Sequence, residues 1–427
     1  MLKIFDPFIF EKKDIGGVPV FLKQLPWSAG YVNIRIGFRT GGRYDPQNKE
    51  GLAHFCEHVP FNGCKGFPGF ADIEKLSHEL FMNTLNAHTS ADDIVFEGKC
   101  LTENIEGAFA FFKNFIWHSL LEESEIERER AVIIREIWQR YDSVKNLERI
   151  LQIRKDMLGE SHILVRRMNP TGFEETVKEI TRNDIKDFIT RAYIREHLCI
   201  VIAGDITPTI TAVLEKFITD IPNGDPFIAP EILTEMFVSP VRERTHSYTE
   251  FFGSNAESTP QHTELEFVRI LPSVVPPPLL NLATGFLREV IWATLRGKLG
   301  ATYSVSLSRT WWKDLIRISF GTHVPPERAQ EMKQEIRDIL LRMQSDPEAF
   351  RDKFIEIKTS MLARLRSSEW STGDIASTIL DDYFLFGTIT SLADDYALLE
   401  GKQFEDVLAI VRRWFNPDNL YIYIMTP

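Results

Sequence analysis

The chain has 427 residues, too many for one ordinary hydrophobic core, so two or more domains are expected. Apolar residues make up 44% of it and charged residues 26%, the balance of a soluble globular protein, which excludes a disordered or fibrous chain. A net charge of −12 argues against non-specific binding to nucleic acid.

The first residues lack the charged-then-apolar plan of a secretory signal and are not Arg- and Ser-rich like a transit peptide. Residues 18–40 alternate apolar and polar, as a β-hairpin does. Helical pattern covers 49–61 and 73–82, and strand character returns over 86–96. A long helix is predicted over 102–121. Ser124 and Glu127 then have capping-box spacing, so a second helix is predicted from near Ser124, with further helix to about 158. The run from His197 to Asp205 reads as a buried strand and 207–221 as the helix after it. Residues 223–240 are Pro-rich with few regular signals and form the expected linker.

After the linker the order repeats. Strands are predicted near 244–252 and 262–271, a helix over 279–299, strands near 301–309 and 315–323, and long helices over 326–344 and 347–367. A closing strand at 419–426 is the counterpart of the strand after His197. The predicted fold class is therefore α+β, as two homologous repeats of about 200 residues, each an antiparallel or mixed sheet packed with helices. The domains are expected at 1–222 and 241–427. The longest uncharged run, Ile270 to Leu287, contains Pro272 and Pro276 to Pro278, so no membrane span is expected there. Cys56, Cys64, Cys100 and Cys199 form no C-x-x-C pair, and a reduced, cytoplasmic compartment is expected.

His54, Glu57 and His58 carry the most chemistry. On a helix, positions i, i+3 and i+4 share one face, so two imidazoles and a carboxylate point the same way. Two imidazoles can hold zinc, and a neighbouring carboxylate can take a proton from water. This H-x-x-E-H order inverts the commoner H-E-x-x-H motif. A zinc peptidase needs a third protein ligand. Glu129 and Glu136 lie two turns apart, beside the apolar stripe Val132, Ile133, Ile137 and Trp138; Glu136 is the candidate ligand. His78 and Glu79 begin an H-E-x-x-H pattern, but residue 82 is Met, so they are a decoy.

Three segments resemble the pitrilysin/insulinase family of inverted-motif zinc peptidases, which includes the mitochondrial processing peptidases. The segment from Gly51 to Gly63 is similar to its active-site helix, and that from Glu127 to Ile137 to its second metal helix. The third, from Arg296 through Gly300 to Tyr303, resembles its substrate-contacting pair. The resemblance implies one zinc per chain on His54, His58 and Glu136, with Glu57 as general base and Glu129 supporting the site. It implies that Arg296 and Tyr303 reach a substrate beside the zinc of an opposite half. It also implies that Asn86 and Ala87, on an edge strand, hold an extended peptide. The family usually has glycines just before this Asn; here Phe81 to Leu85 stand in that place.

The expected activity is that of a zinc-dependent endopeptidase, cleaving peptides or small unfolded polypeptides in a closed chamber. This chain has the length of one half, so a homodimer is implied, each subunit lending Arg296 and Tyr303 to its partner. The alternative is a non-catalytic partner subunit of a heterodimeric peptidase of the same family. A purely structural role on this fold is disfavoured by the intact zinc set.

Overall fold

A computed structural model describes residues 5–227, 243–252, 261–297 and 304–427. The chain forms two sheets, each packed with helices. The first contains β1 (Glu11–Ile15), β2 (Val18–Gln24), β3 (Tyr31–Phe38), β4 (Asn86–Thr89), β5 (Ile94–Leu101) and β6 (Leu198–Gly204), in the order β1-β2-β6-β3-β5-β4. The second contains β7 (Glu243–Ser247), β8 (Thr263–Pro272), β9 (Val305–Trp311), β10 (Leu315–Val324) and β11 (Tyr421–Thr426), in the order β7-β11-β8-β10-β9.

The repeat is explicit in the pairing. β6 lies parallel to β2 and antiparallel to β3, and β11 lies parallel to β7 and antiparallel to β8. Both sheets end in an antiparallel pair, β5 with β4 and β10 with β9. The helix Pro277–Gly297 between β8 and β9 therefore occupies the place that Leu52–His58 holds between β3 and β4. β1 has no counterpart among the described residues.

The expected hairpin over 18–40 is corrected: β2 and β3 are not neighbours, because β6 inserts between them. β6 is buried at every position, so it needs the sheet centre, flanked on both edges and covered on both faces. The expected linker lies, from residue 228 on, outside the described residues. The strand expected over 244–252 ends at Ser247 and gives way to a helical turn, Tyr248–Phe252. Three further helices, Thr372–Phe386, Leu392–Gly401 and Phe404–Trp414, fill a region without sequence assignment.

The first of these crosses between the halves. Ile375, Ile379, Leu380 and Phe384 pack on the outer face of the first sheet, against Phe21, Val95, Cys199 and Val201. A Cβ at Gly37 of β3 would lie 2.9 Å from both Leu380 and Phe384, so this close approach requires glycine. The two sheets draw on separate stretches of the chain, while their cores interlock. The opposite face of the first sheet packs on the helix Leu52–His58 and on Ile105–Trp117, whose Phe109, Phe112 and Phe115 are buried.

Candidate functional site

The helix Leu52–His58 is only seven residues long, yet its ends are firmly placed. The buried Asp45 carboxylate accepts the backbone N–H groups of Gly51 (2.7 Å) and Ala53 (2.8 Å), satisfying two of the free donors of the first turn. Gly51 sits at φ +103°, and a Cβ there would lie 2.9 Å from the Thr171 carbonyl oxygen, so glycine is required twice over. Leu52, Phe55, Cys56 and Val59 face the core. That rotation turns His54, Glu57 and His58 together toward the helix Glu123–Tyr141. Cys56 is buried and packs, as its place on the opposite flank requires.

The Nε2 atoms of His54 and His58 face each other at 3.2 Å. Glu136 Oε2 lies 3.8 Å from the first and 3.7 Å from the second. Ligands about 2.0–2.1 Å from a tetrahedral zinc stand about 3.3–3.4 Å apart, so these three donors are spaced for one ion. Glu57 Oε2 is also near, 3.9 Å from His54 Nε2, and with the two histidines makes a compact donor group. That oxygen, however, already accepts the Thr89 hydroxyl at 2.8 Å. Glu136 is closer to both imidazoles, and its side chain is 38% exposed where that of Glu57 is 8%. Glu136 suits the third ligand position and Glu57 the position beside it.

Supporting groups orient the imidazoles. His58 Nδ1 donates to Glu129 Oε1 at 2.7 Å, which aims the lone pair of Nε2 at the shared centre. The other Glu129 oxygen accepts from Asn62 (2.9 Å), whose carbonyl accepts from Arg128 (2.6 Å). Burial works to neutralise His58, but its bond to Glu129 and the surrounding carboxylates outweigh this and raise its pKa. Burial, with His58 beside it, holds His54 well below the ordinary histidine range, so its nitrogens stay neutral. Burial pushes the Glu57 carboxyl up, against the pull of His58 and Thr89. Burial also opposes ionisation of Glu129, but its bonds from His58 and Asn62 win and lower it.

Beside these groups opens a cavity of about 630 Å³. Glu57, His58, Glu129 and Glu136 form its polar side, and Phe61, Phe70 and Val132 its apolar side; Asn86 stands at its border. β4, with Asn86 and Ala87, pairs only with β5 among the described residues, so its outer edge is open. In the turn before it, where the resembled family has glycines, Met82 and Asn83 adopt φ of +52° and +57°. The turn is left-handed here without glycine.

Of the residues expected to act together, His54, Glu57, His58, Glu129 and Glu136 converge. Arg296 does not line this cavity: it is exposed in the last turn of Pro277–Gly297, over the Trp292 ring. Tyr303 lies outside the described residues. Three contributors were missed in the sequence: Asp45, Asn62 and Thr89. Asn62 stands four residues after His58 and Thr89 two after Ala87, so helical and strand periodicity could have found those two. The Ser124 cap is corrected: the helix begins at Glu123, and Glu122 precedes it.

Residues 27–170 match the family model described as insulinase (peptidase family M16), and residues 179–354 match the model of the peptidase M16 inactive domain. The probable zinc protease PqqL of Escherichia coli is 31% identical over 181 residues, which cover 41% of this chain and 19% of that protein. The human mitochondrial-processing peptidase subunit beta is 32% identical over 186 residues, 43% of this chain and 36% of that one. The aligned part is thus less than half the length of either relative. Among solved structures, the periplasmic protease PqqL superposes with a TM-score of 0.80 at 17% identity, over 98% of this chain and 47% of that one. A protease from Helicobacter pylori superposes with a TM-score of 0.76 at 18% identity, over 98% and 99%. At such identities the structural likeness speaks for the fold alone.

Proposed function

The chain belongs to the insulinase (M16) peptidase family, and from that premise we propose that it is a zinc-dependent endopeptidase. One observation carries the reading: two neutralisable imidazoles and one carboxylate are spaced for a single ion, with a second, buried carboxylate held beside them by Thr89.

His54, His58 and Glu136 would hold the metal. Zinc bound there would supply a Lewis acid able to acidify a water and polarise a scissile carbonyl. Glu57 accepts the water's proton and passes it to the leaving amine. Thr89 fixes one Glu57 oxygen and leaves the other for the proton. Glu129 holds His58 in the tautomer that presents Nε2. The substrate would lie along the open edge of β4, its main chain paired near Asn86 and Ala87, with a side chain against Phe61 and Phe70.

The reading extends to a homodimer that encloses a chamber, in which Arg296 and Tyr303 serve the zinc of the partner chain. A reduced, cytoplasmic compartment suits four buried, unpaired cysteines. No helix among the described residues is long and apolar enough to cross a membrane.

The test is hydrolysis of a mixed peptide library by the purified chain, with product masses read before chelation, after it, and after zinc is restored. Loss and return of cleavage is expected. Cleavage indifferent to chelation refutes a metal mechanism, and its absence in the zinc-loaded chain favours the non-catalytic partner reading.

A further inference from the structure

The second half has its own cavity where the repeat places the metal pocket. It measures about 440 Å³ and lies between the helix Pro277–Gly297, strand β9 and the helix Arg351–Ser367. These elements correspond to the metal helix, β4 and Glu123–Tyr141. No histidine lines it; its charged lining is Arg288, Arg309, Arg364 and Glu289.

Arg309 is built into the wall. Its Nε donates to the Thr284 hydroxyl oxygen at 2.8 Å, and its Nη2 donates to the Asn281 carbonyl at 3.3 Å. Thr284 is fully buried, and its hydroxyl in turn donates to the Leu280 carbonyl at 2.8 Å, so the guanidinium cannot rotate without breaking a buried chain of bonds. Both partners of Arg309 are neutral. The one acid in the lining, Glu289, pairs with Arg288. Among the described residues neither Arg309 nor Arg364 has a carboxylate partner. A partly buried cation without a counter-charge is costly, and burial together with Arg288 lowers the Arg309 pKa to about 10. An anion in the cavity relieves that cost.

We propose that this pocket binds a carboxylate, and specifically the C-terminal carboxylate of a peptide. The planar fork of a fixed arginine matches a carboxylate with two parallel hydrogen bonds. Leu307, Ile357 and Met361 supply an apolar wall for the body that carries it, and the volume is that of a small-ligand pocket. The choice of a peptide end over a free acid rests on the peptidase reading, since each cleavage creates a new C-terminal carboxylate. The carboxylate site itself does not.

The experiment is calorimetric titration of the full chain carrying Glu57→Gln, so that nothing is cleaved. The probes are a blocked hexapeptide ending in leucine as the free acid, the same peptide as its C-terminal amide, N-acetyl-leucine, and inorganic phosphate. The peptide acid should bind at least tenfold more tightly than the amide. That preference should vanish in Arg309→Gln and weaken in Arg364→Ala, and it should persist in a chain that also carries His58→Ala. Should Arg309→Gln fail to fold, the exposed Arg364→Ala decides. Equal binding of acid and amide overturns the proposal, as does a preference that survives the arginine variants or disappears with His58→Ala. N-acetyl-leucine or phosphate binding as tightly as the peptide acid overturns the peptide end in favour of a free anion. Because no turnover is read, a chain without peptidase activity can still pass this test, and an active one can fail it.

Discussion

The pocket beside His54, Glu57 and His58 and its counterpart in the second half share a frame and carry opposite charge. One is lined by Glu57, Glu129 and Glu136 with a single arginine, Arg128; the other is lined by Arg288, Arg309 and Arg364 with a single glutamate, Glu289. The frame in each is a helix over the sheet, an edge strand and a facing helix. The architecture supplies a concave site, and a few side chains on equivalent elements decide whether it attracts a cation or an anion.

The largest effect that separates the two pockets is expected at Glu57. Glu57→Gln should lower peptide turnover by about a thousandfold or more, since an amide cannot accept the proton, while leaving the metal bound. Steady-state kinetics with a quenched peptide measures this, and activity within tenfold of wild type would assign the base elsewhere. The supporting groups come next. Glu129→Gln should weaken zinc binding by about 10- to 100-fold, because His58 loses its charged acceptor. Thr89→Val should lower kcat by about tenfold or more with little change in KM, since it frees Glu57 to rotate without touching the metal. A KM effect alone would make Thr89 part of substrate binding.

Asp45, which anchors the start of Leu52–His58, is probed through stability. Burial raises its pKa from 3.8 to about 8, against the pull of the Ala53 and Gly51 N–H groups. A carboxyl raised on folding binds its proton more tightly in the native chain. Its contribution is therefore fully present below about pH 4 and is lost as pH rises through about 8, by up to about 1.4 kcal/mol per pH unit. Urea unfolding from pH 4 to 9 should show this slope in the wild type and a flatter one in Asp45→Asn. The smallest expected effect is at the turn before β4: Met82→Gly should relieve left-handed strain of about 1 kcal/mol, offset in part by the entropy of glycine. A clear loss of stability would show that the Met82 side chain contributes packing there.

Much of this frame is legible in the sequence. The His54–His58 spacing, the two-turn separation of Glu129 and Glu136, and the repeated order of elements are local periodicities, and each predicts a face. The rest depends on distance along the chain. β2 and β3 look like a hairpin until β6, more than 150 residues later, takes the place between them. The helix Thr372–Phe386 carries Asp374, Asp381 and Asp382 on an otherwise apolar pattern, so nothing local shows that it seals the first sheet. Asp45 acts through hydrogen bonds to the start of another element, and no spacing announces those. The basic pocket escapes for the same reason: Arg288, Arg309 and Arg364 come from three separate elements.

Whether Glu136 ligates zinc and Glu57 does not is tested most directly by the zinc content of purified chains. It is read by mass spectrometry after dialysis against buffer at low free zinc. About one zinc per chain is expected in the wild type and in Glu57→Gln, and almost none in Glu136→Gln. Full zinc in Glu136→Gln, with loss in Glu57→Gln, would reverse the two roles and contradict the assignment.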